Sequence, residues 1–188
     1  MNLMISETTS QYELERTRAN ASVDTICYLS CESVLGQVLV ARSLKGVCAI
    51  LIGSHRSEFE TDLAAHFPNA NLVANEAAVY RDLAKVIRFV EKPAGGLYLP
   101  LDLRGTPFQR CVWEKLRAIP VGRTVTYTDV AYWVGPLTSA RAVADACASN
   151  RIALAVPCHR VVRSNGDLAS YRWGVERKRE IIRREAMA

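Results

Sequence analysis

Apolar positions fall into two regimes along the chain. Between Thr25 and about Ile52 they gather in short β-rich runs: Ile26-Cys27-Tyr28-Leu29, Gln37-Val38-Leu39-Val40-Ala41 and Val47-Cys48-Ala49-Ile50-Leu51-Ile52. Such runs predict three strands, and Gly36 and Lys45-Gly46 between them suit tight hairpin connections. Glu58–His66 and Glu76–Glu91 then show helical spacing, with Val79, Leu83, Val86, Ile87 and Val90 on one stripe. Pro93-Ala94-Gly95-Gly96 closes this α/β unit. Leu97–Asp102 reads as a short extended segment leading through Arg104-Gly105-Thr106-Pro107 into the second regime.

That second regime is mainly helical. Phe108–Ile119 places Phe108, Val112, Trp113, Leu116 and Ile119 on one face, with Pro107 suited to a helix start. Thr126-Tyr127-Thr128-Asp129 opens the next helix with a hydroxyl cap and an acid in the first turn, and Gly135-Pro136 ends it. A further helix from Thr138-Ser139 to Ser149 carries Ala140, Ala142, Ala144, Ala146 and Ala148, little bulk to keep its backbone from a groove. Two short helices joined by a Gly-containing turn form a helix-turn-helix signal. A strand over Ala155–Val162 and a hairpin turn at Ser164-Asn165-Gly166-Asp167 add the wing. In the last helix, Gly174 to about Ala186, Val175, Ile181 and Ile182 form the inner stripe. Glu185 falls on that stripe too, where a carboxylate needs a partner. The expected organisation is a flexible arm at 1–21, an α/β domain at 22–96, a linker at 97–106 and a winged-helix domain at 107–188.

Charge sharpens the division. Of the 188 residues, 1–100 carry 9 Lys and Arg against 11 Asp and Glu, whereas 101–188 carry 15 against 8. A basic half joined to a mildly acidic one points to a polyanion partner for the former. No apolar stretch approaches the ~18–20 residues of a membrane span, so no membrane partner is expected. The six cysteines (Cys27, Cys31, Cys48, Cys111, Cys147, Cys158) lack metal-ligand spacing and read as reduced thiols of a cytoplasmic protein.

Candidate chemistry concentrates in Ala155-Val156-Pro157-Cys158-His159-Arg160-Val161-Val162. A thiol with an ordinary pKa near ~8.5 is mostly protonated at neutral pH and becomes a nucleophile only with help from neighbours. Alone, Cys158 reads equally as a small buried hydrophobe. Its context carries more. Asn150 stands eight residues before Cys158, and Tyr171-Arg172-Trp173-Gly174 is followed by Lys178 and Glu185, with Tyr127 and Arg141 at matching intervals. From about Ile26 to Glu185 this pattern resembles the O6-alkylguanine-DNA alkyltransferases, including the alkyltransferase half of bacterial adaptive-response proteins.

The resemblance implies a ribonuclease-H-like α/β domain before the winged helix. It also implies a single-turnover direct-reversal reaction that moves an alkyl group, mainly methyl, from guanine O6 in double-stranded DNA irreversibly onto Cys158, with some activity on O4-methylthymine. His159 is then the base that takes the thiol proton through a water, Glu185 orients His159, and Asn150 is the hinge before the active-site segment. Tyr127 turns the target phosphate and protonates the departing base, while Arg141 fills the stack left by the extruded nucleotide. Ala140 and Ala142 flank it on the DNA side. Tyr171, Arg172, Trp173, Ala153 and Lys178 belong to the substrate pocket. No cofactor or metal is implied, and the protein acts as a monomer.

Two departures stand out: Ser170 replaces a common glycine, and Ala153 replaces a proline of some relatives. Trp173 in a loop over the pocket, with no proline wall at Ala153, implies that bulky groups such as benzyl are disfavoured. Two other readings of Cys158 fit less well. An oxidation or alkylation sensor on a winged-helix regulator needs neither Glu185 nor Asn150. A thiol hydrolase needs a separate histidine base, whereas His55 and His66 sit in polar stretches of the other domain.

Overall fold

The computed structural model describes residues 24–188, so the arm expected at 1–21 lies outside the described residues. Strands β1 (Thr25–Ser33), β2 (Gly36–Ser43) and β3 (Gly46–Gly53) form an antiparallel meander in the sheet order β3-β2-β1-β4. The fourth member, β4 (Asn71–Ala74), pairs parallel to β1 and had no counterpart in the sequence reading. Four residues with exposed ends carry too little pattern to announce a strand.

Both faces of the sheet are covered, which is why Val47–Ile52 is continuously apolar and not alternating. Helix α1 (Ser57–His66) packs Phe59 and Leu63 against Ile26, Leu39 and Leu51. Helix α2 (Glu76–Glu91) turns Val79, Leu83, Val86, Phe89 and Val90 onto the other face, and Ile87 is only partly buried. The free edge of β3 is occupied by two later segments. Val47 N donates to Pro100 O and Asp102 N to Val47 O, both at 2.8 Å. Further along, Ile50 N donates to Arg151 O at 2.9 Å and Ala153 N to Ile50 O at 3.0 Å. An edge strand thus anchors the stretch that leads to Cys158.

Helix α3 (Pro107–Arg117) begins with a capping box between Thr106 and Gln109 and buries Val112, Trp113 and Leu116, while Phe108 is exposed. Helix α4 (Tyr127–Val134) has a second capping box between Thr126 and Asp129, and α5 (Ala140–Ala148) is capped by Ser139. Trp113 Nε1 donates to Ala146 O at 2.8 Å and pins α3 to α5. Gly105 permits this close packing, since a Cβ there would lie 2.6 Å from the Trp113 ring. The final helix is α6 (Val175–Ala186).

Three local expectations are corrected. The strand over Ala155–Val162 exists only as β6 (Val161–Val162), parallel to β5 (Val125–Thr126). Cys158–Arg160 form one turn of 3₁₀ helix, because Leu154 takes a positive φ of 66° and Asn150 draws the nearby backbone polar groups inward. After β6, hydrogen bonds from Gly166 N to Arg163 O and from Arg163 N to Asp167 O close the turn, but no strand follows it among the described residues. On α6 the buried positions are Lys178, Ile181 and Glu185, whereas Val175 is exposed. The result is a mixed α/β protein. Among the described residues no helix is long and apolar enough to cross a membrane.

Candidate active site

Cys158 sits at the start of the 3₁₀ turn, buried, with its Sγ accepting from Asn150 Nδ2 at 3.2 Å. The same amide donates to Val156 O at 2.9 Å, while Asn150 Oδ1 accepts from Ile152 N at 2.9 Å. Asn150 therefore folds the loop after α5 and holds the sulfur. Burial raises the thiol pKa above its ordinary value; the Asn150 N–H and the Lys178 charge oppose that rise. Lys178 Nζ donates to Val161 O at 2.7 Å. Replacing Asn150 with Ala leaves buried backbone groups unpaired, so unfolding free energy falls by about 1–3 kcal/mol. Denaturant titration reads that loss, and the thiol pKa rises further in a spectroscopic titration.

His159 is fully buried and donates from Nε2 to Glu185 Oε1 at 2.9 Å. That bond fixes the tautomer and leaves Nδ1 as the lone-pair nitrogen, which has no protein partner among the described residues. Burial holds the imidazole below its ordinary pKa against the pull of Glu185. The cation that Glu185 required is Arg160, which sequence reasoning missed. Its Nε and one terminal nitrogen grip the carboxylate at 2.9 and 2.8 Å, and its other terminal nitrogen donates to Ile119 O at 2.6 Å. Its mark in the sequence is slight, one permanently charged residue in the run Ala155–Val162, with partners far along the chain. Burial alone would raise Glu185, but the bonds from His159 and Arg160 hold it down to about 2. At Gly122, whose φ is +75°, a Cβ would meet Glu185 O at 2.9 Å, so the loop before β5 closes directly on this pair.

A cavity of about 210 Å³ opens over the sulfur, lined by Tyr127, Ala144, Cys147, Ala148, Cys158, Ser170, Tyr171 and Arg172. Burial and then the neighbouring thiols push the Tyr127 phenol up to about 12, so it stays protonated. Tyr171 packs edge-on to His159 and Trp173, its centroid 5.1 Å from that of Trp173. Of the five residues expected in the pocket, Tyr171 and Arg172 line it. Trp173 does not: it is buried behind Tyr171 and so reaches the cavity only through that ring. Ala153 lies in the core and Lys178 beneath β6, both fully buried. Ser170, noted as a departure from the resemblance, also lines the cavity, and Ala144, Cys147 and Ala148 are cavity residues that the sequence reading left out of the pocket.

On α5, Val143, Ala146 and Cys147 face the core, Ala140 and Ala142 are half-buried, and Arg141 projects outward with its side chain 86% exposed. Its ion pair is with Asp145, one turn on, at 3.3 Å. An exposed arginine on an alanine-rich helix beside a thiol-floored cavity can enter a nucleic-acid groove while the thiol meets whatever fills the cavity.

Comparison with known proteins agrees with that arrangement. The sequence model of the 6-O-methylguanine DNA methyltransferase DNA-binding domain matches residues 107–187. The bifunctional transcriptional activator/DNA repair enzyme Ada of Escherichia coli is 44% identical over 159 residues, which cover 85% of this chain and 45% of that protein. The methylated-DNA–protein-cysteine methyltransferase of Candida albicans is 33% identical over 160 residues, covering 80% of this chain and 90% of that one. Among solved structures, Mycobacterium tuberculosis OGT in complex with DNA superposes with a TM-score of 0.70 at 29% identity, covering 86% of this chain and 93% of that one. The chain belongs to the methylated-DNA–protein-cysteine methyltransferases. It spans about half the length of the first curated relatives it matches.

Proposed function

We propose that this protein repairs DNA by direct reversal, moving the methyl group of O6-methylguanine in a duplex irreversibly onto Cys158. The observation that carries this reading is the buried Cys158–His159–Glu185 set beneath a cavity that opens beside α5. His159 Nδ1 takes the thiol proton through a water. The S–C bond forms as the C–O6 bond breaks, and the released electron pair passes into guanine. Tyr127, kept protonated, donates toward N3 of the departing base. Asn150 holds the sulfur, and Tyr171 and Arg172 wall the base. The α/β unit is then the ribonuclease-H-like domain and residues 107–188 the winged-helix domain, its wing reduced to the turn at Asn165-Gly166. The protein acts as a cytoplasmic monomer without a cofactor, with O4-methylthymine as a minor substrate.

Guanine O6 lies within the base stack, so the nucleotide must be extruded before the thiol reaches it, at a cost of a few kcal/mol. Arg141 fills the space left behind, helped by Ala140 and Ala142, which keep the helix surface low. If Arg141 supplies about 2–3 kcal/mol of that cost, Arg141→Ala slows duplex repair by roughly 30- to 150-fold and leaves reaction with the free alkylated base unchanged. Equal losses on both substrates contradict this role. The function itself is tested by incubating a duplex containing O6-methylguanine with limiting protein. Repair stopping at one guanine restored per protein molecule supports the reading; multiple turnover or no repair contradicts it.

A further inference from the structure

Arg172 walls the cavity, and its side chain leaves the active-site half of the molecule. It donates to Ala148 O, at the end of α5, at 3.5 Å and to His66 Nε2, at the end of α1, at 2.7 Å. A second guanidinium, Arg151, approaches from the loop after α5, its backbone carbonyl bonded to Ile50 on β3. The two arginines repel each other, and both repel a protonated His66. Burial, reinforced by these two charges, keeps His66 below its ordinary pKa, so its neutral ring accepts from Arg172. The acidic group that acts on His66 is the exposed Asp62, one turn back on α1. Neither Arg151 nor Arg172 forms an ion pair among the described residues, and the Arg151 side chain makes no hydrogen bond there.

Two guanidinium groups that repel each other without a counter-charge, Arg151 half-buried and Arg172 exposed, raise the electrostatic energy of the free protein, and a bridging anion removes that cost. Their planar forks match phosphate oxygens. The pair lies where the cavity wall meets the end of α5, continuous with the surface that carries Arg141. A backbone phosphate of a strand lying along α5 is the anion chemically suited to that place. We propose that Arg151 and Arg172 form a phosphodiester subsite for the DNA strand that presents its base to Cys158, with His66 as the positioning residue for Arg172. The α/β half thereby contributes to DNA binding through one imidazole. The proposal rests on the alkyltransferase reading above.

The test is the salt dependence of affinity for a duplex containing one O6-methylguanine, measured in the Cys158→Ala chain so that binding is not consumed by transfer. Loss of one phosphate contact in Arg151→Gln lowers the slope of log K against log salt by about 0.9. Arg151→Lys keeps the slope. Arg179→Gln, at an exposed arginine paired with Glu176 on α6, leaves it at the parent value. His66→Ala lowers it and His66→Gln restores it, since an amide can still accept from Arg172. An unchanged slope in Arg151→Gln, or an equal fall in Arg179→Gln, overturns the subsite. So does stabilisation by inorganic phosphate with the DNA slope unaltered, which identifies a free-phosphate site. Failure of the alkyltransferase reading shows separately, as an unmutated chain that leaves the same duplex methylated.

Discussion

Replacing Cys158 with alanine abolishes methyl transfer and leaves affinity for duplex DNA intact. The two properties draw on different parts of the molecule. On the proposed reading, transfer needs the Cys158 sulfur, held by Asn150 and adjoining His159 in the same turn. Affinity, on the same reading, comes from exposed cations such as Arg141 on the outer face of α5, away from the thiol. The substitution removes a small buried group from a turn whose backbone is fixed by Asn150 bonds to Val156 and Ile152, so the loop keeps its shape. Transfer is read by loss of O6-methylguanine from the duplex and affinity by fluorescence anisotropy. Residual stoichiometric transfer in Cys158→Ala would mean that another thiol, with Cys147 the nearest candidate in the cavity, is the acceptor.

Glu185 supports the second large effect. Glu185→Gln keeps the shape of the side chain but leaves the buried Arg160 guanidinium without its counter-charge and His159 without a charged acceptor. Breaking a buried pair from one side costs about 3–5 kcal/mol. For a protein of this length that lowers Tm by roughly 6–20 °C. Below the transition, where the variant is still folded, transfer slows about 100-fold or more, because the base loses its orientation. Thermal unfolding and single-turnover kinetics read these effects separately. An unchanged Tm contradicts the structural role, and an unchanged rate the chemical one.

The same groups set the pH dependence of stability. Glu185 has its folded pKa lowered from 4.5 to about 2, so the stability it contributes is present above 4.5 and lost as pH falls toward 2. His159 is kept neutral in the fold, its pKa below the ordinary 6.5, so acidification below 6.5 favours the unfolded chain, which binds that proton more readily. Both effects have one sign, and stability decreases from neutral pH into acid. Denaturant midpoints in Glu185→Gln lose the part of this dependence below 4.5.

Features that depend on neighbouring residues were legible in the sequence. The three strands of the meander, the stripe on α2, the helix start at Pro107, the hydroxyl cap at Thr126, and the hairpin glycines at 36 and 46 all follow from spacing and backbone chemistry. So did the inward position of Glu185. Features set by distant partners were not. Val156–Arg160 has the composition of a strand, but the Asn150 side chain and the anchoring of Arg151–Ala153 on β3 bend it into a turn. Arg160 was hidden because its partners, Glu185 and Ile119, lie 25 and 41 residues away. The His66–Arg172 contact, across 106 residues, carries no local signal at all. Trp173 fell behind the pocket because its neighbour Tyr171 occupies the wall, an ordering that spacing alone does not distinguish.

The central claim is that Cys158 is the alkyl acceptor, and peptide mapping by mass spectrometry tests it most directly. After reaction with an O6-methylguanine duplex, the account predicts a single added methyl group per chain, on the peptide that contains Cys158, with Cys147 and Cys111 unmodified. A methyl group on any other residue, or repaired DNA with an unmodified protein, would contradict it.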